Sequence, residues 1–113
     1  MCANSDKKNE ARQTLQQIIE EAIDIGADSI ELEYVDDGLE VCYILGSTGF
    51  GTLLADRALE SEIIELVIGE AKLEDTPRGI MDRMYLGKRY HILVEEYESF
   101  GESAFRLILN NPE

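Results

Sequence analysis

The segment with the clearest chemical potential in this sequence is Gly46–Thr52, Gly-Ser-Thr-Gly-Phe-Gly-Thr. Its G-x-x-x-x-G-T spacing, between a predicted strand and a predicted helix, is similar to that of a phosphate-binding loop. That motif needs a lysine after its last glycine to offset phosphate charge, and Thr52 stands there instead. No basic residue occurs between Asp28 and Arg57. We therefore interpret Gly46–Thr52 as a flexible loop without a nucleotide.

Carboxylates are the most abundant potential chemical groups. Glu31 and Glu33 alternate along a predicted strand, and Asp36 and Asp37 follow in a predicted turn. Acids on a strand and its turn in such an acidic chain are typical of a solvated surface. We therefore interpret Glu31, Glu33, Asp36 and Asp37 as candidate partner-binding residues and not as catalytic ones.

The remaining reactive side chains form no recognisable site. His91 is the only histidine, so no pair of imidazoles can hold a metal, and no nucleophile partner for it is identifiable. Cys2 and Cys42 are not arranged as Cys-x-x-Cys, and we expect two free thiols. No D-x-D-x-D-G calcium loop occurs. The sequence thus predicts no catalytic residue, no cofactor and no metal.

Composition restricts the kind of partner. The chain has 113 residues, of which 24 are acidic and 10 basic, giving a formal net charge of −14. Clustered cations are needed to bind nucleic acid or an anionic membrane, so we expect neither partner. The start of the chain lacks the apolar region of a signal peptide, and no apolar run reaches the roughly 20 residues of a membrane span. We expect a cytoplasmic protein without membrane insertion.

Periodicity predicts the elements that position these residues. Apolar residues at helical spacing indicate a first helix that ends at Gly26. The period then changes to two on either side of Asp36-Asp37-Gly38, which predicts a β-hairpin from Ile30 to Leu45. After the Gly46–Thr52 loop, a second helix is predicted for residues 56–73, with Ile63 and Val67 on its apolar face.

The last third of the chain predicts three strands, Ile80–Leu86, Arg89–Tyr97 and Ser103–Leu109, with a type II′ turn at Gly87-Lys88. Hairpin connections favour an α+β fold with a mostly antiparallel sheet, formed by a hairpin and a three-stranded meander, with both helices packed on one face. We predict a single domain over residues 9–110, with a disordered tail at 1–8 and a short tail at 111–113.

Four segments resemble the N-terminal domain that precedes the motor in ATPases of type II secretion and type IV pilus assembly. Glu21–Glu33 is similar to the family's A-i-x-x-G-A-S-D-I-H-I-E, and Asp37–Gly46 to its hairpin ending in R-I-D-G. Pro77–Gly79 is similar to a P-Q-x-G element, and Gly101–Leu107 to a G-E-x-x-x-x-R-i ending. The resemblance extends over Thr14–Leu109 and implies a PAS-like domain from a bacterium.

The departures from this family concern its nucleotide-contacting groups. The family's histidine is replaced by Glu31, its R-I-D-G by Tyr43–Gly46, and a later arginine falls near Leu93. No Walker A lysine, Walker B acid or histidine box is present. The resemblance therefore implies a degenerate relative without the motor domain, which keeps the scaffold and not the ATPase.

Three functional hypotheses follow. The first is a non-enzymatic interaction or regulatory module whose partner is a protein, either a secretion or pilus motor component or a second copy. The alternative is an acidic dimeric protein similar to type III secretion chaperones, with residues 56–73 at the dimer interface. The third is a small-ligand sensor with a PAS-like pocket. Exposure of Phe50 and Phe100 would indicate a protein-binding patch.

Overall fold

The computed structural model describes residues 3–109, which form two helices and six strands. In chain order the elements are α1 (Ala3–Ile25), β1 (Ser29–Val35), β2 (Gly38–Leu45), β3 (Thr48–Leu54), α2 (Arg57–Ala71), β4 (Arg78–Tyr85), β5 (Lys88–Ser99) and β6 (Glu102–Ile108). The predicted α+β class and the order helix, strands, helix, strands are confirmed, with six strands where the sequence predicts five.

The six strands form one sheet in the order β3-β2-β1-β6-β5-β4, and every neighbouring pair is antiparallel. Two-residue turns connect β1 to β2, β2 to β3, β4 to β5 and β5 to β6. β1 and β6 lie side by side at the centre of the sheet, with Leu32 opposite Phe105. They join the first three strands of the chain to the last three. This pairing closes the domain into one unit.

The hydrophobic core lies between one face of the sheet and the two helices. Leu15 and Ile19 of α1 and Ile63 and Val67 of α2 are all fully buried, as their helical spacing predicts. They pack in one cluster with the inward-facing residues of the central strands, such as Leu32. The opposite face of the sheet is not covered by a helix, so its strands carry polar residues at alternate positions.

The prediction of a flexible loop at Gly46–Thr52 is wrong, because most of this segment forms β3. Gly46-Ser47 is the turn, and Thr48–Leu54 pairs with β2 in regular register. A Cβ atom at Gly49 would lie 3.1 Å from the Cys42 sulfur, and one at Gly51 would lie 3.0 Å from a Glu40 oxygen. The glycines therefore leave room for side chains of β2, and pairing with β2 turns a glycine-rich segment into a strand.

The turn between β4 and β5 is one residue earlier than the sequence predicts. Its two central residues are Leu86 and Gly87, with φ of 51° and 78°. Positive φ at both positions is the type I′ pattern, which matches the twist of the flanking strands better than the predicted turn at Gly87-Lys88. The turn between β5 and β6 repeats it with Phe100 and Gly101, at 53° and 83°.

The helix boundaries differ in detail from the prediction. Residues 3–8, predicted as tail, belong to α1, where the Lys7 ammonium lies 3.2 Å from Glu10 and 3.0 Å from Asp56. The helix predicted for residues 56–73 spans Arg57–Ala71, with Asp56 as its N-cap and Lys72 in the left-handed conformation after it. Residues 1, 2 and 110–113, including Cys2 and the predicted C-terminal tail, lie outside the described residues. Neither helix in the described range has both the length and the hydrophobicity of a membrane-spanning segment.

We expect stability to fall at alkaline pH because of Tyr43. Its buried hydroxyl donates a hydrogen bond to Glu21 at 3.0 Å, and burial together with this bond raises the pKa of Tyr43 far above its usual range. A raised folded-state pKa contributes stability that is complete below the unfolded pKa of about 10 and is lost as the pH rises. Tyr43→Phe should cost about 1 kcal/mol at pH 8, where the hydrogen bond is intact, and less at pH 11.

Urea denaturation of wild type and Tyr43→Phe at both pH values measures this difference. Burial also raises the pKa values of Tyr34 and Tyr97, so wild type and variant should both lose stability at alkaline pH, the wild type more steeply. A stability difference that does not change between the two pH values would contradict the assignment to Tyr43.

Candidate functional site: an acidic cleft

A cleft of about 900 Å³ lies at one end of the sheet. It lies where the β1–β2 turn, the β5–β6 turn and the first half of α2 meet. Its lining consists of Glu33, Tyr34, Val35, Asp36, Gly38, Arg57, Glu60, Ser61, Phe100 and Glu102. Three segments that are distant in the sequence therefore share this site.

The start of α2 is held in place by its N-cap. The Asp56 side chain accepts a hydrogen bond from the Leu59 amide at 3.1 Å and forms an ion pair with Lys7 of α1 at 3.0 Å. The Lys7 contact, followed by the amide bond, lowers the pKa of Asp56. Because positions i, i+3 and i+4 share one side of a helix, this fixed start presents Arg57, Glu60 and Ser61 together to the cleft.

Glu60 is the unusual residue of the cleft. It is only 5% exposed, although it is an acid. Among the described residues, no side chain donates a hydrogen bond to its carboxyl group and no cation lies within ion-pair distance of it. A Cβ atom at Gly38 would come within 3.2 Å of one of its carboxyl oxygens, so the absent side chain of Gly38 leaves space there. A carboxylate in so sheltered a position, with no ion pair among the described residues, favours an added cation.

Tyr34 forms a wall of the cleft next to Glu60. Burial is the largest cause of a raised pKa for Tyr34, and the carboxyl groups of Glu60 and Glu102 raise it further. Ser61 and Arg57 act in the opposite direction. The phenol therefore stays protonated at neutral pH and presents an aromatic ring and a hydroxyl group to the cleft, without a negative charge of its own.

Phe100 supplies an apolar group at the rim. Its side chain is 100% exposed at the first central position of the β5–β6 turn, where φ is 53°. The turn chemistry does not explain a phenylalanine here, because asparagine, aspartate or glycine suits a type I′ turn better. Because Phe100 also lines the cleft, its exposed ring is accessible to a molecule bound there.

The charge of the cleft is strongly unbalanced. Four carboxyl groups line it against a single guanidinium, a formal charge of −3 when all are ionised: Glu33, Asp36, Glu60, Glu102 and Arg57. Such a site is suited to cationic groups and unsuited to phosphates or carboxylates.

The structure separates the four predicted partner-binding residues. Glu33 and Asp36 line the cleft, and Asp37 is exposed on the same turn. Glu31 and Glu33 both lie on the open face of the sheet, as their spacing of two requires. Glu33, at the cleft end of β1, accepts a hydrogen bond from the Ser99 hydroxyl at 3.1 Å, whereas Glu31 lies further from the cleft, 3.1 Å from Arg106. No pattern in the sequence marks Glu60 or Tyr34 as cleft residues, since a glutamate in a helix and a tyrosine in a strand are both common.

Arg106 organises the open face of the sheet. Besides Glu31 it approaches Glu95 at 3.5 Å, and its guanidinium lies 4.7 Å from the centre of the Tyr97 ring. These contacts offset the charges of Glu31 and Glu95 in the middle of the face, so Glu31 has a structural role there. His91 lies on the same face, exposed and paired with Asp82.

Metal binding has no support in the described part of the chain. Within residues 3–109 no group of three or more His, Cys, Asp or Glu side chains is arranged to hold a metal ion. Cys42 is a free thiol there, and partial burial raises its pKa.

The chain was also compared with known proteins. It matches no protein-family model and no curated protein sequence.

Proposed function

We propose that this chain is a protein–protein interaction module that binds a basic segment of a partner in the acidic cleft. The observation that carries the proposal is Glu60, a glutamate only 5% exposed that has no ion pair among the described residues and lines a cleft with excess negative charge. A lysine ammonium or arginine guanidinium of the partner would supply the missing cation. A charge-assisted hydrogen bond in so sheltered a position is stronger than one on an open surface.

The other residues that line the cleft would contribute to binding in two ways. The rings of Tyr34 and Phe100 offer faces for the cation and for the aliphatic part of its side chain. Glu33, Asp36 and Glu102, nearer the rim, would attract the partner over a distance and accelerate encounter. Of the four acids predicted from the sequence, the proposal thus keeps Glu33, Asp36 and Asp37 as charges that attract the partner, and it leaves out Glu31.

The proposal does not require the resemblance to secretion and pilus ATPase domains. That resemblance stays a prediction, and under it the basic partner would be a motor component of those systems. The chaperone alternative needs α2 at a dimer interface. The apolar side of α2, including Ile63 and Val67, is already buried in the core, so the alternative has less support.

We expect Glu60→Gln to weaken binding of a basic peptide about tenfold or more, because the variant keeps the shape of the side chain and removes its capacity for charge. A lysine-rich peptide of ten residues serves as the probe, and calorimetry at low salt gives the affinity. Glu65→Gln is the matched control, since it makes the same change on the exposed side of the same helix, outside the cleft lining.

Glu60→Gln should weaken peptide binding without destabilising the fold. Because Glu60 is only 5% exposed and has no ion pair among the described residues, Glu60→Gln should leave the free energy of unfolding unchanged or raise it. Equal affinities of Glu60→Gln and Glu65→Gln for the peptide would refute the cleft as the binding site. A peptide made of glutamate in place of lysine should not bind at all.

A further inference from the structure

One edge of the sheet lacks the protection that edge strands usually have. β3 has a hydrogen-bonded neighbour, β2, on one side only, and all of its residues except Leu54 are exposed. No charged residue occurs from Val41 through Ala55, in a chain of which 30% is charged. Charges, prolines or a covering element normally prevent such an edge from pairing with another strand. The other edge strand, β4, carries Arg78, Asp82 and Arg83.

We propose that β3 pairs with β3 of a second copy of this chain, in antiparallel orientation, about a two-fold axis at Gly51. In this register Gly51 lies opposite Gly51, and Phe50 lies opposite Thr52 of the second copy. The same arrangement sets Gly49 opposite Leu53. All seven residues of β3 find a partner, and the two sheets join into one continuous sheet of twice six strands.

The side chains of β3 complement each other in this register. On the open face, Leu53, which is 47% exposed, would lie opposite Gly49 of the second copy, close to the Cys42 side chain that lies over that glycine. On the other face, Phe50, which is 55% exposed, would contact Thr52, and such aromatic and β-branched pairs stabilise neighbouring strands. A large residue therefore meets a small one at each of these positions.

The absence of charged residues from β3 allows a second copy of this acidic chain to approach at this edge. Two chains with a formal charge of −14 repel each other wherever their acidic surfaces meet. The β3 edge is the surface where they can approach without bringing charged side chains into direct opposition. The Glu40 side chain lies over Gly51 from the neighbouring strand, so the two Glu40 groups would flank the axis. Salt, which screens this repulsion, should therefore strengthen the dimer.

Sedimentation equilibrium across a range of concentrations tests the proposal on the full chain. We expect a reversible monomer–dimer equilibrium whose dissociation constant falls as salt is raised. The double variant Phe50→Glu with Thr52→Glu sets two pairs of like charges across the axis and should weaken the dimer about tenfold or more. The double variant Phe50→Lys with Thr52→Glu sets opposite charges at the same two places and should restore it.

The control is a charge added at the other edge of the sheet. Ile80→Glu adds a charge at an exposed apolar residue of the other edge strand and should not change the dissociation constant. A wild-type chain that is monomeric at all concentrations would overturn the proposal. A dimer that survives the double glutamate variant would also overturn it, and would place the interface elsewhere. Both double variants replace exposed side chains, and circular dichroism verifies that each one folds.

Discussion

Phe105→Ala should destabilise the protein by about 4 kcal/mol, the largest loss that we expect from a single side-chain truncation. Phe105 is 2% exposed, lies on the central strand β6 opposite Leu32, and is the largest fully buried side chain of the core. Its removal leaves a cavity between the sheet and the helices that neighbouring residues fill only in part. Urea denaturation with a linear extrapolation measures the change in the free energy of unfolding.

Phe100→Ala is the matched control, because it makes the same chemical change five positions earlier in the chain. Phe100 is 100% exposed, so its truncation should change the free energy of unfolding by no more than about 0.5 kcal/mol. Under the proposed function it should nevertheless weaken binding of the lysine-rich peptide. Comparable losses of stability for the two variants would mean that Phe100 packs against the protein and is not a contact residue.

Gly79→Ala should cost about 3 kcal/mol, which is the second largest effect that we expect. A Cβ atom at Gly79 would lie 1.8 Å from the backbone oxygen of Ala71 and 3.2 Å from its Cβ atom. The start of β4 therefore passes directly against the end of α2, and only a residue without a side chain fits between them. The main chain would have to move to admit a methyl group, which would disturb the contact between helix and sheet.

Gly69→Ala, ten positions earlier, tests whether this effect is steric. Gly69 lies within α2, and a Cβ atom there would have nothing within 4 Å. Alanine is a better helix former than glycine, so this variant should gain about 0.5–1 kcal/mol. Thermal and urea denaturation of the two variants should therefore show changes of opposite sign. A Gly79→Ala variant as stable as the wild type would contradict the close approach of α2 and β4.

Gly79 also bears on the resemblance to secretion and pilus ATPase domains. It is the glycine of the Pro77–Gly79 segment that resembles the family's P-Q-x-G element. The approach of Ala71 gives this glycine a packing reason, which is independent of any nucleotide or motor. A glycine at this point is accordingly explained by packing alone, and the resemblance stays a prediction.

The two proposed surfaces have different chemistry and separate tests. The cleft carries a formal charge of −3, whereas the β3 edge has no charged residue. Binding of a basic peptide in the cleft should weaken as salt is raised, since screening reduces the attraction between opposite charges. Self-association through β3 should strengthen under the same change. The opposite salt dependence allows the failure of one proposal to be distinguished from the failure of the other.

Local patterns in the sequence were sufficient for most elements. The apolar spacing of Leu15 and Ile19, and of Ile63 and Val67, identified the buried side of each helix, because the helical repeat alone decides which residues share a face. Alternation on either side of Asp36-Asp37-Gly38 identified the first hairpin for the same reason. These predictions depend only on residues close together in the chain, and net charge likewise follows from composition alone.

Only the tertiary structure decided the rest, because it depends on contacts between residues distant in sequence. Gly46–Thr52 has the composition of a loop and becomes a strand through pairing with β2, whose side chains occupy the space above its glycines. Glu31 resembles Glu33 in the sequence, yet pairing of β1 with β6 sets it beside Arg106 and away from the cleft. Glu60 is one of 24 acids in the sequence, and only the packing of α2 against the β1–β2 hairpin reduces its exposure to 5%, which no local pattern records.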